Sequence, residues 1–318
     1  PWLSSYCRWT ANERLWYAFV NGNTQNPVTS WLCTPMSLDP NIDLALHLGE
    51  RLNQEWERLA WDVDRRYQKK LFPEATARYL QLTRGWMRQE QYFAALCTGT
   101  PRENFKRVWK EVRTQFIGFG RLSAFSYLEY LRIMGLPLEC DNLFLEDMEG
   151  SKSHRNGLAL VLGRDDLDWR KDSPFQGEYS GEVLAWLEEE AEKLLQDAKD
   201  FSAYNPHAED IGYFTLESAL CTYKSWHRKN RRYPNVYNDM LHGRIKWAEL
   251  HWPAVDFSIF WRARRECLPT HLRLEDNSHD PGLCPRKQNH YLLTGQPVMM
   301  EKEWPEFANT WQNQGVLL

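Results

Sequence analysis

Apolar residues recur every three or four positions along most of the chain, which is the spacing of one face of an α-helix. The longer segments with this spacing are 41–71, 73–96, 101–115, 122–133, 181–199 and 215–228. The alternating pattern of a β-strand does not reach a convincing length. We therefore predict an all-α, multi-helix globular fold.

A glycine pair separates two of these helical segments. Pro101 suits the first turn of the upstream helix, and the downstream helix begins near Arg121. Glycines let the backbone approach another molecule, and the free N–H groups of a helix start can hold an anion. We predict a helix-hairpin-helix-like element at 102–134 that contacts DNA phosphate. The alternative is a tight structural connection. The predicted contact residues are Gly118, Phe119, Gly120 and Arg121.

Composition narrows the class of protein. The 318 residues are 42% hydrophobic, mean hydropathy is −0.65, and no apolar run has membrane length. With no signal-peptide pattern, the expected location is cytoplasmic. The net charge of −4 means that any DNA binding must be local. The seven cysteines and nine histidines lack metal-ligand spacing, so reduced thiols and no metal site are expected.

The chain divides by pattern into three regions. We predict an N-terminal helical region (1–100), a motif-bearing helical core (101–243) and a C-terminal helical and coil region (244–318), packed as one compact unit. Candidate chemistry concentrates in the middle region.

Polar residues follow the hairpin in two short segments. Asp141 and Asn142 lie in an acidic, irregular stretch, and 150–156 reads as a polar, basic loop before a helix resumes at Leu158. Asp141 is a candidate proton acceptor, although a helix N-cap is an equally good explanation. His154 is a candidate proton donor, although a loop histidine is more often a plain hydrogen-bonding residue.

A helical segment at 215–228 leads into the densest basic patch of the chain. Glu217, Lys224 and Arg228 fall on one side of this helix, apart from its apolar stripe. Arg231 and Arg232 follow beside an aromatic residue, which favours contact with DNA phosphates over a merely solvated face.

Taken together, the hairpin and the segments 140–145, 150–157, 216–224 and 231–234 resemble one helical family. The chain is similar to the phage amino acid:DNA transferases, which are related to the α-glutamyl/putrescinyl thymine pyrophosphorylases and to the helical domain of phage 5-hydroxymethyluracil DNA kinases. The resemblance covers roughly 101–241. No phosphate-binding P-loop is present, so the kinase part is excluded. For a phage-encoded protein, the implied location is the host cytoplasm.

The resemblance implies a transferase that hypermodifies thymine in DNA. An amino acid or amine would attack the methylene carbon of a pyrophosphorylated 5-hydroxymethyluracil, and pyrophosphate would leave. The implied partners are DNA that carries the modified thymine and a free amino acid or amine, with no membrane. No cofactor is implied, and a divalent metal for pyrophosphate departure is left open.

That chemistry assigns roles to the candidate residues. Asp141 or Glu217 would accept the proton of the amine, His154 would protonate the leaving group, and Phe119 or a tryptophan would stack an extruded base. We expect Asp141 and the 153–156 loop to line one pocket. The remaining predicted substrate and DNA contacts are Asn142, Lys152, Ser153, Arg155, Asn156, Lys224, Arg228, Arg231 and Arg232.

Two other functions stay open at this stage. A helix-hairpin-helix DNA glycosylase would place an aspartate near Asp141, but no lysine nucleophile lies between Arg121 and Asp141. A non-catalytic DNA-binding module would leave the motif residues dispersed and exposed.

Overall fold

The computed structural model describes residues 2–34, 59–147, 153–168, 178–201, 211–226 and 240–267. All regular secondary structure within these ranges is helical, which confirms the predicted all-α class. The chain divides into two compact units, Pro1–Leu220 and Cys221–Leu318. The three sequence regions, 1–100, 101–243 and 244–318, stay a prediction.

Twelve α-helices lie within the described residues. They are α1 (Trp2–Tyr6), α2 (Ala11–Thr24), α3 (Pro27–Leu32), α4 (Phe72–Leu82), α5 (Gln89–Leu96), α6 (Pro101–Gln115), α7 (Arg121–Ile133), α8 (Ser153–Val161), α9 (Gly181–Phe201), α10 (Tyr213–Trp226), α11 (Met240–His251) and α12 (Ser258–Cys267). Three 3₁₀ segments, Val63–Leu71, Trp86–Arg88 and Asp165–Leu167, join them. None of the helices in the described ranges is long and apolar enough to cross a membrane.

Local capping explains where the central helices begin. Thr100 accepts a hydrogen bond from the backbone N–H of Glu103, whose carboxylate accepts in return from the Thr100 N–H at 2.8 Å. With Pro101 in the first turn, this capping box starts α6 where the sequence predicts it. The same reciprocal box, between Thr10 and Glu13, starts α2.

Three predicted boundaries differ from the structure. The helix predicted over 73–96 is interrupted at Arg84 and Gly85, because both have a positive φ, at 55° and 99°. The end of the helix predicted over 41–71 is the 3₁₀ segment Val63–Leu71, and residues 35–58 lie outside the described ranges. The loop predicted at 150–156 is wrong from Ser153 onward, because Ser153 begins α8.

An aromatic core joins α2, α4 and α7. The Phe19 ring stacks on Tyr79 with centroids 3.9 Å apart, and it contacts Phe119 at 6.0 Å and Tyr127 at 6.3 Å. Gly22 permits this packing, because an added Cβ there would lie 3.0 Å from the Tyr127 Cβ. Aromatic side chains bury large apolar areas, so this core holds α2, α4 and α7 together.

A second apolar core lies between α8, α9 and α10. Its buried residues are Leu143, Leu145, Leu158, Ala159, Leu167, Tyr179, Leu187, Ala191, Leu195, Leu216 and Leu220. Gly157 holds α8 against α10, because a Cβ at Gly157 would lie 2.0 Å from the carbonyl oxygen of Leu220. This close approach brings the first turn of α8 beside the middle of α10.

The described part of the second unit contains α11 and α12. Their packing centres on Trp261, whose indole N–H donates to the Glu249 carboxylate at 2.5 Å. The ammonium of Lys246 lies 4.9 Å from the centre of the same ring, and His242 meets it edge-on at 5.3 Å.

Candidate functional site

A buried ion pair lies between α7 and α10. The guanidinium of Arg121 approaches the Glu217 carboxylate at 3.2 Å, and the two side chains are 0% and 5% exposed. Arg121 also donates to the Leu143 carbonyl at 3.1 Å and lies over the Phe125 ring at 5.6 Å. Buried ions need such compensation, because removing them from water costs several kcal/mol each.

The first turn of α8 adds charged and polar side chains to this pair. A ring nitrogen of His154 lies within 4.8 Å of a Glu217 carboxylate oxygen. The guanidinium of Arg155 lies 4.1 Å from the centre of the Tyr179 ring, and burial lowers the pKa of Arg155. His154, Arg155 and Asn156 are all buried. The structure therefore brings together Arg121, His154 and Glu217, which the sequence singles out separately.

Glu129 is a further member of this region that the sequence analysis missed. Burial, and then the charge of Glu217, raise the pKa of Glu129 to about 7, while Arg132 opposes this shift. The available signal was the spacing of Arg121, Phe125, Glu129 and Arg132, which places them on one face of α7. A carboxyl group that titrates near neutral pH is suited to proton transfer. We call Arg121, Glu129, His154, Arg155 and Glu217 the charged cluster.

The hairpin between α6 and α7 has a different environment from the one predicted. Phe119 is only 4% exposed and packs in the aromatic core. The Gly118 carbonyl accepts a hydrogen bond from Gln68 at 2.7 Å, and Gly118 has a φ of 83°. The two helices and their turn are present, but the helix-hairpin-helix element is not confirmed. Gly120 is exposed at the N-cap of α7, whereas Arg121 points into the protein.

Asp141 is half-buried, with its side chain 20% exposed, and it lies outside the charged cluster. Its carboxylate pairs with Lys106 at 3.0 Å and accepts from the Asn142 amide at 3.0 Å. The Asn142 side chain in turn accepts from the Phe144 N–H at 2.8 Å and so fixes the local turn. Asp141 is not a helix N-cap, because residues 141–147 contain no helix.

Asp141 lines an open cavity of about 470 Å³, which we call the acidic cavity. The other carboxylates around it are Glu146, Glu188, Glu189 and Glu192. Burial raises the pKa of Glu188, and the charges of Glu146 and Asp141 add to this effect. Such a surface attracts cations and repels phosphate.

A second cavity, of about 500 Å³, adjoins the acidic cavity, and the two share Glu192 and Tyr213. We call it the mixed-charge cavity. Its charged lining residues are Arg102, Arg132, Glu139, Glu192 and Lys199. Burial, followed by the charges of Glu192 and Glu188, raises the pKa of Tyr213 to about 12.

Several predicted site residues lie outside the described part of the chain. These are Lys152, Arg228, Arg231 and Arg232, together with the side chain of Lys224. Their predicted contacts with DNA therefore stay predictions. Ser153 is described and begins α8.

The donor types for a divalent cation are present in the charged cluster. The imidazole of His154 and the carboxylate of Glu217 are groups that bind transition metals, and their ligand atoms are close together. Arg121 competes for the same carboxylate. A metal requirement stays a question for experiment.

The comparisons with known proteins agree with these motifs. A family model described as amino acid:DNA transferase matches residues 6–232. A protein of Salmonella phage ViI named serinyltransferase is 28% identical over 299 residues, which cover 90% of this chain and 71% of the phage protein. No solved structure matches the chain significantly.

Proposed function

Since this chain belongs to the amino acid:DNA transferase family and is an enzyme that transfers an amino acid to DNA, we propose that the acceptor is pyrophosphorylated 5-hydroxymethyluracil. The product would be a hypermodified thymine, and pyrophosphate would be released. The phage origin of the relative favours the cytoplasm of an infected host cell as the place of reaction. The name of that relative, serinyltransferase, makes serine the first amino acid to test.

The proposed step is a substitution at carbon. The neutral amine of the amino acid attacks the methylene carbon of the modified base, and a C–N bond forms as the C–O bond to pyrophosphate breaks. The bonding electrons leave with the pyrophosphate oxygen, and the ammonium that results loses one proton. The protein must therefore accept a proton and stabilise a departing polyanion.

The observation that carries the proposal is the convergence of the charged cluster. Its members come from α7, α8 and α10, and Arg121 and Glu217 are 96 positions apart in the sequence. Buried, interacting charged groups with perturbed pKa values are concentrated at functional sites. If these residues served stability alone, apolar side chains of similar size would stabilise the fold as well or better.

Two carboxyl groups of the cluster suit the transfer of the amine proton. Glu129 has a pKa of about 7, partly because the Glu217 charge is close. A pair of carboxyl groups in unequal environments can hold a proton on one member at neutral pH. We assign proton acceptance to the Glu129–Glu217 pair, ahead of Asp141 beside Lys106.

The cations divide into two groups by their burial. Arg121 and Arg155 are 0% and 1% exposed, so their effect on a departing pyrophosphate would be electrostatic rather than by direct contact. Lys152, Arg231 and Arg232 are the sequence-predicted direct contacts. His154, beside Glu217, is the proposed proton donor to the leaving group.

The test is transfer on three DNA substrates of one sequence. They contain thymine, 5-hydroxymethyluracil or pyrophosphorylated 5-hydroxymethyluracil, and each is incubated with the twenty standard amino acids. Mass spectrometry of the nucleosides and an assay for released pyrophosphate should show product with the pyrophosphorylated DNA alone. Product with either other DNA would contradict the proposed acceptor. An arm with EDTA tests the need for a divalent metal.

Variants connect the reaction to the charged cluster. Glu217→Gln and Glu129→Gln should each lower the single-turnover rate by about a hundredfold, the usual range for loss of a general base. Glu182→Gln, on the exposed start of α9, is the matched control and should keep the parent rate. Parent rates in both cluster variants, in folded protein, would refute the assignment of proton acceptance.

A further inference from the structure

We infer that the mixed-charge cavity binds the amino-acid co-substrate as a zwitterion, with its carboxylate on the Arg132 and Lys199 side and its ammonium at Glu192. This inference rests on the proposed function, because it names where that reaction takes its amino acid. It also specifies an α-amino acid rather than a simple amine or diamine.

Only some of the charged side chains around the cavity form ion pairs. Arg102 and Glu139 are paired across its rim at 3.6 Å. Arg132, Lys199 and Glu192 form no ion pair with any residue in the described ranges. Two cations and one carboxylate therefore face the same volume, and a bound zwitterion would complement both signs.

The backbone adds to the positive side of the cavity. Ile211 and Gly212 precede α10, and Tyr213 and Phe214 begin it; all four line the cavity, and the first turn of α10 has no acidic residue. The first N–H groups of a helix of this length favour a carboxylate. This effect acts together with the side-chain cations.

The apolar part of the cavity lining suits a small organic molecule. Leu138, Leu195 and Phe214 are buried apolar lining residues. A volume of about 500 Å³ with apolar walls and a few charged groups is typical of small-molecule sites.

The neighbouring acidic cavity argues for an amino acid over other charged ligands. Its five carboxylates begin at Glu192, where the two cavities meet. They would repel pyrophosphate or a DNA phosphate, whereas Arg132 and Lys199 would repel a diamine. An ammonium group at Glu192 would be attracted by the carboxylates of both cavities.

The cavity also adjoins the charged cluster. Arg132 and Glu129 interact electrostatically on one face of α7. Cys140, a lining residue of the cavity, interacts in the same way with Glu217 and Arg121. An amino acid bound with its carboxylate at Arg132 would therefore lie beside the proposed proton acceptors.

The experiment measures binding to the full chain by ligand-observed NMR and calorimetry, with and without the pyrophosphorylated DNA. The probes are the twenty standard amino acids, L-serinamide, putrescine and inorganic pyrophosphate. At least one amino acid should bind, and its amide and putrescine should bind about tenfold or more weakly. Absence of any amino-acid binding in both conditions, or tighter binding of pyrophosphate, overturns the inference.

Charge-removing variants locate the site. Arg132→Gln and Glu192→Gln should each weaken amino-acid binding by about tenfold or more, while the melting temperature stays near that of the parent. Arg88→Gln and Glu182→Gln remove one exposed charge of each sign elsewhere and should bind as the parent does. Parent affinity in both cavity variants overturns the inference.

A charge reversal guards against a trivial loss of binding. Arg132→Glu combined with Lys199→Glu should exchange the preference, so that putrescine binds more tightly than the amino acid. Failure of this exchange in folded protein, with amino-acid affinity kept, also overturns the inference.

The two proposals fail separately. If DNA is modified but Arg132→Gln keeps the parent KM for the amino acid, the proposed binding site is refuted and the proposed function is supported. If the amino acid binds with the expected charge dependence but pyrophosphorylated DNA is not modified, the proposed acceptor is refuted and the binding site is supported.

Discussion

Helix α7 has two faces with opposite characters. On one face, Tyr127 packs into the aromatic core with Phe19 and with Phe119 of the preceding turn. On the other face, Arg121 pairs with Glu217 of α10, and the charge of Glu217 also acts on Glu129. Both faces are largely buried, so burial alone does not distinguish the structural side of this helix from the chemical side.

The difference lies in what each face would lose by substitution. Aromatic rings at 5–6 Å separation stabilise each other through area and shape, and neighbouring rings can partly relax. The charges depend on each partner, since removing one leaves the other uncompensated in a low-dielectric interior. The hairpin turn belongs to the first face, and the proposed chemistry belongs to the second.

The largest expected effect is on the charged face. Arg121→Met and Glu217→Leu should each lower the free energy of unfolding by about 3–5 kcal/mol, because each leaves one buried charge without its partner. The double variant should cost less than the worse single variant but should abolish transfer. Urea unfolding followed by tryptophan fluorescence measures these values. The exposed pair of Arg164 and Asp166 is the control, and its loss should leave the midpoint unchanged. A fully additive double variant would contradict this account.

On the aromatic face, Phe119→Ala should lower the free energy of unfolding by about 3 kcal/mol, because it leaves a cavity between Phe19 and Tyr127. Ile133→Ala, at an exposed position of α7, is the control and should cost much less. DNA affinity of the folded fraction should stay at the parent value. A stable Phe119→Ala variant with weakened DNA binding would restore the predicted role of Phe119 as a base-stacking residue.

The charged face should also show a pH dependence of stability. The pKa of Glu129 rises from 4.5 to about 7 in the folded state, so the folded protein holds this proton more tightly. The contribution of protonated Glu129 to the free energy of unfolding is complete below pH 4.5 and is lost as pH rises through 7. We expect a loss of about 3 kcal/mol across this range, and Glu129→Gln should remove it.

Unfolding free energies at pH 5 and pH 8 check this expectation. Glu217 and Arg132 are the charged neighbours that influence the titration, so Glu217→Gln should shift it toward lower pH. An identical pH profile in parent and Glu129→Gln would show that Glu129 titrates normally.

The smallest effect is expected at Asp141, outside both faces. Because its pair with Lys106 is partly exposed, Asp141→Asn should change the free energy of unfolding by less than about 1 kcal/mol. We expect transfer within about threefold of the parent rate, since Glu129 and Glu217 are the proposed acceptors. Lys106→Gln is the control for loss of the pair. Abolished transfer in Asp141→Asn alone would favour the original prediction that Asp141 accepts the proton.

The site was predictable in part. Motif resemblance identified Arg121, His154 and Glu217, and the structure places them together. Glu129 was missed because its neighbours in sequence give no sign of a second carboxylate nearby. The predicted pocket of Asp141 with residues 153–156 stays a prediction; the Asp141 side chain is half-buried, and His154 is fully buried.

The sequence by itself determined the helical class and most helix starts, because periodicity, proline and capping residues act within a few positions. It also determined the transferase family through its motifs. Tertiary structure alone decided which way Arg121 and Phe119 point and which carboxylates become neighbours. The physical reason is the distance along the chain. The Arg121–Glu217 pair joins residues 96 positions apart, and it depends on contacts such as that of Gly157 with the Leu220 carbonyl, which no local pattern encodes.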